Sequence, residues 1–173
     1  MKLIKAIAAA TALTLVSLSA VASDYKAGDL SLSHAWTRAT PPKAKAGGGF
    51  VEIVNNGSET DRLIAASSDV AGKTEIHEMA VTDGVMKMRK LDNGIEIPAG
   101  ETVKLQPGGL HIMFMGLNQS FEEGTSVPVI LTFEKAGDVG IELSVAKMGA
   151  KSMDHGHMNK DGGDQSNMDH SKN

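Results

Sequence analysis

Two short stretches of the chain concentrate side chains that hold soft metal ions. "KTEIHEMAVTDGVMKM" carries His77, Met79, Met86 and Met88, and "LHIMFMGL" carries His111, Met113 and Met115 at alternate positions. Valine or isoleucine would serve a strand better there. Imidazole nitrogen and thioether sulfur are neutral donors. Thioether sulfur binds calcium, magnesium and manganese poorly and suits Cu(I) best. Zinc prefers thiolate, imidazole and carboxylate, and no grouping with finger-like spacing is present.

Whether these residues can meet depends on the backbone that carries them. Asp83-Gly84 between alternating segments predicts a hairpin closed by a two-residue type I′ turn. In that register Thr82 faces Val85, Val81 faces Met86 and Met79 faces Met88. Side chains alternate along a strand and cross-strand partners share a face, so His77, Met79, Val81, Met86 and Met88 project from one side. Glu78, Ala80, Thr82, Lys87 and Arg89 take the other. In the second stretch the same alternation sets His111, Met113 and Met115 against Ile112 and Phe114. His111 and Met113 then stand roughly 6.6 Å apart along the strand. If that strand meets the hairpin, His77, Met88, His111 and Met113 form a set of two imidazoles and two thioethers, with Met86 or Met79 as alternatives to Met88.

Each residue also has an ordinary structural explanation. Methionine fills irregular core gaps, which would account for Met79, Met86 and Met115. His34 has no methionine beside it and reads as structural or exposed. Packing explains each member alone; it explains poorly two histidines and at least two methionines on site-facing positions.

The elements around them are short. From Leu30 to Leu143, runs such as "GGGFVEIVNNGS", "DRLIAASSDVAG" and "SVPVILTFEKAGDVGIELSV" alternate with turn residues, and no window shows a helical period. This predicts an all-β sandwich or barrel. Asn56-Gly57, Asp83-Gly84, Asn93-Gly94, Pro98-Ala99-Gly100 and Pro107-Gly108-Gly109 supply its turns.

The two ends differ from this middle. Residues 1–22, "MKLIKAIAAATALTLVSLSAVA", have early lysines, an apolar stretch and a small-residue Ala20-Val21-Ala22 cleavage site, the form of a secretory signal peptide. The expected product is exported, with one β domain over residues 23–149 and a tail over residues 150–173. No later segment reaches the twenty or so apolar residues of a membrane span. Beyond Met148 there is no Val, Ile, Leu or aromatic residue, so the tail cannot bury enough apolar surface to offset its ordering entropy and is expected to be disordered. It nonetheless holds Met153, His155, His157, Met158, Met168 and His170, whose imidazoles suit Cu(II) and whose thioethers suit Cu(I). On a tether, these groups form an auxiliary copper site that raises the local concentration of acceptors.

Composition removes several functions. Loss of Lys2 and Lys5 leaves 15 of the 17 basic residues against 21 acidic ones, a formal net charge of −6, so nucleic acid is not a partner. The chain has no cysteine, which excludes a blue-copper electron-transfer site and any thiolate chemistry. A copper-dependent redox enzyme would want more nitrogen donors and an open position; two thioethers instead stabilise Cu(I) against redox cycling. A carrier without enzymatic activity is the expectation, with storage or tolerance of periplasmic copper as the alternative.

The chain resembles the PCu(A)C-type periplasmic copper chaperones. Their motif is a histidine, ten residues, a methionine, about twenty-one residues, then His-x-Met. Here His77 is followed after ten residues by Met88, and after twenty-two more by His111-Ile112-Met113. The longer second gap can be absorbed in a turn near Asn93-Gly94 or Pro107-Gly108-Gly109. The likeness spans roughly residues 30–148, with "AWTRATPPKAKAGGGFVEIVNNG" similar to the family's N-terminal segment and "LQPGGLHIMFMGL" to its second ligand stretch. The resemblance implies a cupredoxin-like Greek-key β fold. It further implies one Cu(I) near the surface and delivery to the copper centres of a cytochrome oxidase subunit, in some members alongside a thioredoxin-like copper chaperone.

Overall fold

A computed structural model describes residues 25–152. The expected signal segment and the tail residues Met153, His155, His157, Met158, Met168 and His170 lie outside the described residues. Within them the chain forms eleven strands and no helix: β1 (Tyr25–Ala27), β2 (Leu30–Arg38), β3 (Ala46–Asn55), β4 (Asp61–Ser67), β5 (Ala71–Thr82), β6 (Val85–Lys90), β7 (Ile95–Ile97), β8 (Thr102–Leu105), β9 (Leu110–Leu117), β10 (Ser126–Phe133) and β11 (Gly137–Ala146). The all-β expectation is borne out. The strands make one open mixed sheet in the order β6-β5-β9-β3-β2-β11-β10-β4-β7, with β1 added to β2 and β8 to β3. Only β2 and β11 run parallel; every other pairing is antiparallel.

Burial follows the two-residue period of an extended chain. Val127, Val129, Leu131 and Phe133 of β10 point inward, as do Ile141, Leu143 and Val145 of β11. They meet Leu32, Val51, Ile53, Leu63, Ile97, Ile112 and Phe114 in one core. Each such side chain contributes about 1.5–3 kcal/mol by leaving water.

One irregularity decides which residues face outward. In β2, Leu30 and Leu32 point into the core, and strict alternation would send Trp36 after them. Instead Ser33 pairs with Glu52 and Trp36 with Phe50, so β2 carries one extra residue between these pairs. His34 takes a φ of 51° at this bulge, with Nδ1 3.1 Å from Ser33 Oγ. The phase reverses there, so that Ala35 and Thr37 are buried on the core side and Trp36 stacks on Phe50 in a separate outer cluster. The Arg38 guanidinium lies 5.9 Å from the Trp36 ring and 5.5 Å from the Phe50 ring. Its Nε donates to the Ala150 carbonyl at 2.6 Å, and Ala150 is buried in the same cluster. Ala150, the first residue of the expected tail, is thus packed against the strands.

The run Gly47-Gly48-Gly49 in β3 is a second constraint. A methyl group on Gly49 would come within 2.7 Å of Leu143 Cδ1 and 3.1 Å of Phe114 Cε2, both fully buried. Gly49→Ala is therefore expected to destabilise the domain by about 1–3 kcal/mol through overpacking, read as a lower urea midpoint at unchanged m-value. An unchanged midpoint would contradict the packing described for this strand.

Candidate metal centre

The β5–β6 hairpin has the register its turn chemistry predicts. Asp83 and Gly84 have φ of 54° and 75°, the type I′ pattern, and Thr82 pairs with Val85, Val81 with Met86 and Met79 with Met88. The far edge of β5 pairs with β9. His77 lies directly opposite His111, Ile76 opposite Ile112 and Glu75 opposite Met113. Beyond β9, Met113 pairs with Gly48 of β3.

These registers place Met88, Met79, His77, His111, Met113 and Glu75 on one face of three adjacent strands, the face opposite the core side chains Ile76, Ile112 and Phe114. The His77 and His111 rings meet edge to face, with centroids 5.9 Å apart. Both histidines are buried, at 9% and 6% exposure, whereas Met88 on the edge strand is 46% exposed. Met79 and Met113 are half-buried. Met86 and Val81 extend the same face outward at 60% and 69% exposure, and Met115 continues it along β9 opposite Lys73.

Of the four residues picked out by spacing, His77, His111 and Met113 lie on neighbouring register positions, and Met88 lies diagonal to His77, whose direct partner on β6 is Lys90. Met79 is the direct partner of Met88 and follows His77 two positions along the same strand. His34 lies elsewhere, on the β2 bulge.

The structure adds a residue that the motif does not contain. The side chain of Glu75 is 9% exposed; its Oε2 lies 2.9 Å from His77 Nε2 and its Oε1 2.6 Å from Lys73 Nζ, with Lys90 Nζ at 3.8 Å. Hydrogen bonds from Lys73 and then His77 hold its carboxyl at about 2, well below the usual range. His111 Nδ1 lies 2.9 Å from the Gly109 carbonyl oxygen, and the same oxygen accepts the Met79 backbone N–H at 3.0 Å. The 106–109 turn is therefore tied to both strands of the site. His77 Nδ1 is buried with no hydrogen-bond partner. An unpartnered buried nitrogen is costly unless something binds there. Among the described residues no three imidazole, carboxylate or thiolate groups converge to hold an ion. The face offers thioether sulfur beside imidazole nitrogen, a donor combination that suits a soft ion.

These features define a class: cysteine-free, all-β domains that turn imidazole and thioether groups onto one sheet face. Residues 30–145 match the family described as "Putative lipoprotein LpqE-like". A relative, "Putative lipoprotein Lxx21020" of Leifsonia xyli subsp. xyli, is 36% identical over 127 residues, covering 73% of this chain and 75% of that one. The apo PCuAC domain from PmoF1 superimposes with a TM-score of 0.62 at 27% identity, over 72% of this chain and 99% of that domain. The copper-bound PCuAC domain from PmoF2 gives 0.61 at 25% identity, over 72% and 98%. The chain belongs to the LpqE-like family, and the resemblance to PCu(A)C-type proteins is borne out by these structures.

The low value for Glu75 has a measurable result. A carboxyl depressed in the folded state stabilises it fully above about pH 4.5, and that contribution disappears as pH falls toward about 2. In metal-free protein, Glu75→Gln should lower the urea midpoint at pH 6, and the deficit relative to the parent should close between pH 4.5 and pH 2. A deficit that stays constant over that interval would show that Glu75 is not held ionised by Lys73 and His77.

Proposed function

We propose that this domain is a periplasmic copper chaperone that carries one Cu(I) on His77, Met88, His111 and Met113. The observation that carries the reading is the direct cross-strand pairing of His77 with His111 on a face that otherwise presents thioethers. The copper-bound relative with the same fold supports it. Neutral donors leave the site's charge to the ion and favour exchange over permanent retention. The two imidazoles are buried and held by fixed partners, whereas Met88 sits exposed on the edge strand, where a donor or acceptor protein can replace it. Met79, beside it in register, can exchange with it as a ligand.

In this reading the protein is exported through a cleaved signal peptide, is not an enzyme, and delivers copper to the centres of a cytochrome oxidase subunit, with a thioredoxin-like copper chaperone as a further partner. Relatives described as lipoproteins accord with export. Among the described residues no helix is long and apolar enough to cross a membrane. Met153, His155, His157, Met158, Met168 and His170 form an auxiliary site that takes Cu(I) through its thioethers and Cu(II) through its imidazoles.

Equilibrium dialysis against Cu(I) should give one tight equivalent, lost in a His111→Ala, Met113→Ala double variant. Deleting residues 151–173 should lower total copper while sparing the tight equivalent. Absorption at the copper edge should count two nitrogen and two sulfur donors. A double variant that binds as well as the parent would sink the assignment, and a truncated domain that binds no Cu(I) would move the primary site to the tail.

A further inference from the structure

We infer that Glu75 is a positioning residue of this site, and that it makes the two histidines bind through different nitrogens, His77 through Nδ1 and His111 through Nε2. The inference rests on the copper reading and adds the donor atoms and the group that sets them.

The argument is one of donors and acceptors. An ionised carboxylate can only accept a hydrogen bond, so the 2.9 Å contact between Glu75 Oε2 and His77 Nε2 requires the proton on Nε2. The opposite tautomer would set two lone pairs against each other and bury an Nδ1–H that has no acceptor. With Nε2 protonated, Nδ1 carries the lone pair, and it is this atom that is buried and unpartnered. Glu75 is fixed in turn by Lys73 on its other oxygen at 2.6 Å, and its strand position opposite Met113 keeps it on the site face. His111 is set the other way round. A backbone carbonyl also only accepts, so the 2.9 Å contact of Nδ1 with Gly109 O places the proton on Nδ1 and the lone pair on Nε2.

Each ring thus donates one N–H to a fixed acceptor and keeps one nitrogen bare, the arrangement by which outer groups orient metal-binding imidazoles. The acceptors differ in kind. His111 is held by the backbone of a turn and cannot be released by a side-chain change. His77 depends on a single carboxylate, so the orientation of one of the two imidazoles rests on one replaceable residue.

Nitrogen-15 labelled full-length protein tests this, using long-range proton–nitrogen correlation at a pH where both rings are neutral, first without metal and then with one equivalent of Ag(I). Silver is a soft monovalent ion whose nuclear spin couples to the nitrogen it binds. The expected metal-free pattern is Nε2–H at His77 and Nδ1–H at His111. The expected silver couplings are to His77 Nδ1 and His111 Nε2. Glu75→Gln, whose amide oxygen can accept the same N–H, should keep this pattern and bind within a few-fold of the parent. Glu75→Ala should mix the His77 tautomers and weaken binding by roughly 10–100-fold. Coupling at His77 Nε2, or an alanine variant with unchanged tautomers and affinity, would overturn this inference and leave the copper reading standing. Absence of coupling at both histidines would overturn the two together.

Discussion

The site depends on the register of β5 against β9. Side chains alternate with a period of two, so a slip of one residue would turn His77 toward the core and Ile76 toward solvent. What forbids the slip is burial on the other side of the same strands. Ile76, Ile112 and Phe114 are nearly or wholly removed from water, each contributing about 1.5–3 kcal/mol. A shifted strand would lose that and push an imidazole and the Glu75 carboxylate into apolar surroundings. The hydrophobic core thereby sets the outer face, although the outer face carries the proposed site.

The same logic governs the neighbouring strands. Gly48 presents no side chain beside Met113, and a methyl there would touch the Phe50 ring at 3.4 Å. The bulge at His34 then turns Trp36 and Arg38 outward onto Phe50, where they hold the end of the described chain through Ala150. Without the extra residue in β2, alternation would carry Trp36 to the core side with Leu30 and Leu32. The bulged backbone at one non-glycine residue thus gives the outer face an aromatic cluster of its own, on the β2 side of β3, with Ala150 packed into it.

Much of this was legible in the sequence because it is local. Asp83-Gly84 specifies a hairpin by turn conformation alone, and the partners of Val81, Met79 and Thr82 follow by counting. The opposed faces of His111, Met113 and Met115 against Ile112 and Phe114 are likewise a property of one strand. Glu75 shares the His77 face by alternation along β5, but nothing local marked it as part of the site: its place opposite Met113 comes from pairing two strands more than thirty residues apart in sequence. Nor was the His34 bulge, which no turn residue announces. Asn56-Gly57 reads as a positive-φ turn, yet Gly57 is not in that region. Its role is closeness: a side chain there would meet Asp29 Oδ2 at 2.8 Å, and its N–H donates to Asn55 Oδ1 at 2.9 Å.

A buried carboxylate beside an imidazole would ordinarily favour a hard or divalent ion, so the presence of Glu75 needs reconciling with the proposed soft site. Its oxygens are already engaged, one by His77 and the other by Lys73, with Lys90 near. The negative charge is thus compensated inside the protein and not offered to an ion. The donors left facing outward are neutral nitrogen and sulfur, in the combination that Cu(I) prefers and that divalent calcium, magnesium and manganese bind poorly. Under the proposed copper reading, selectivity arises from where the Glu75 carboxylate is tied as much as from which donors are present.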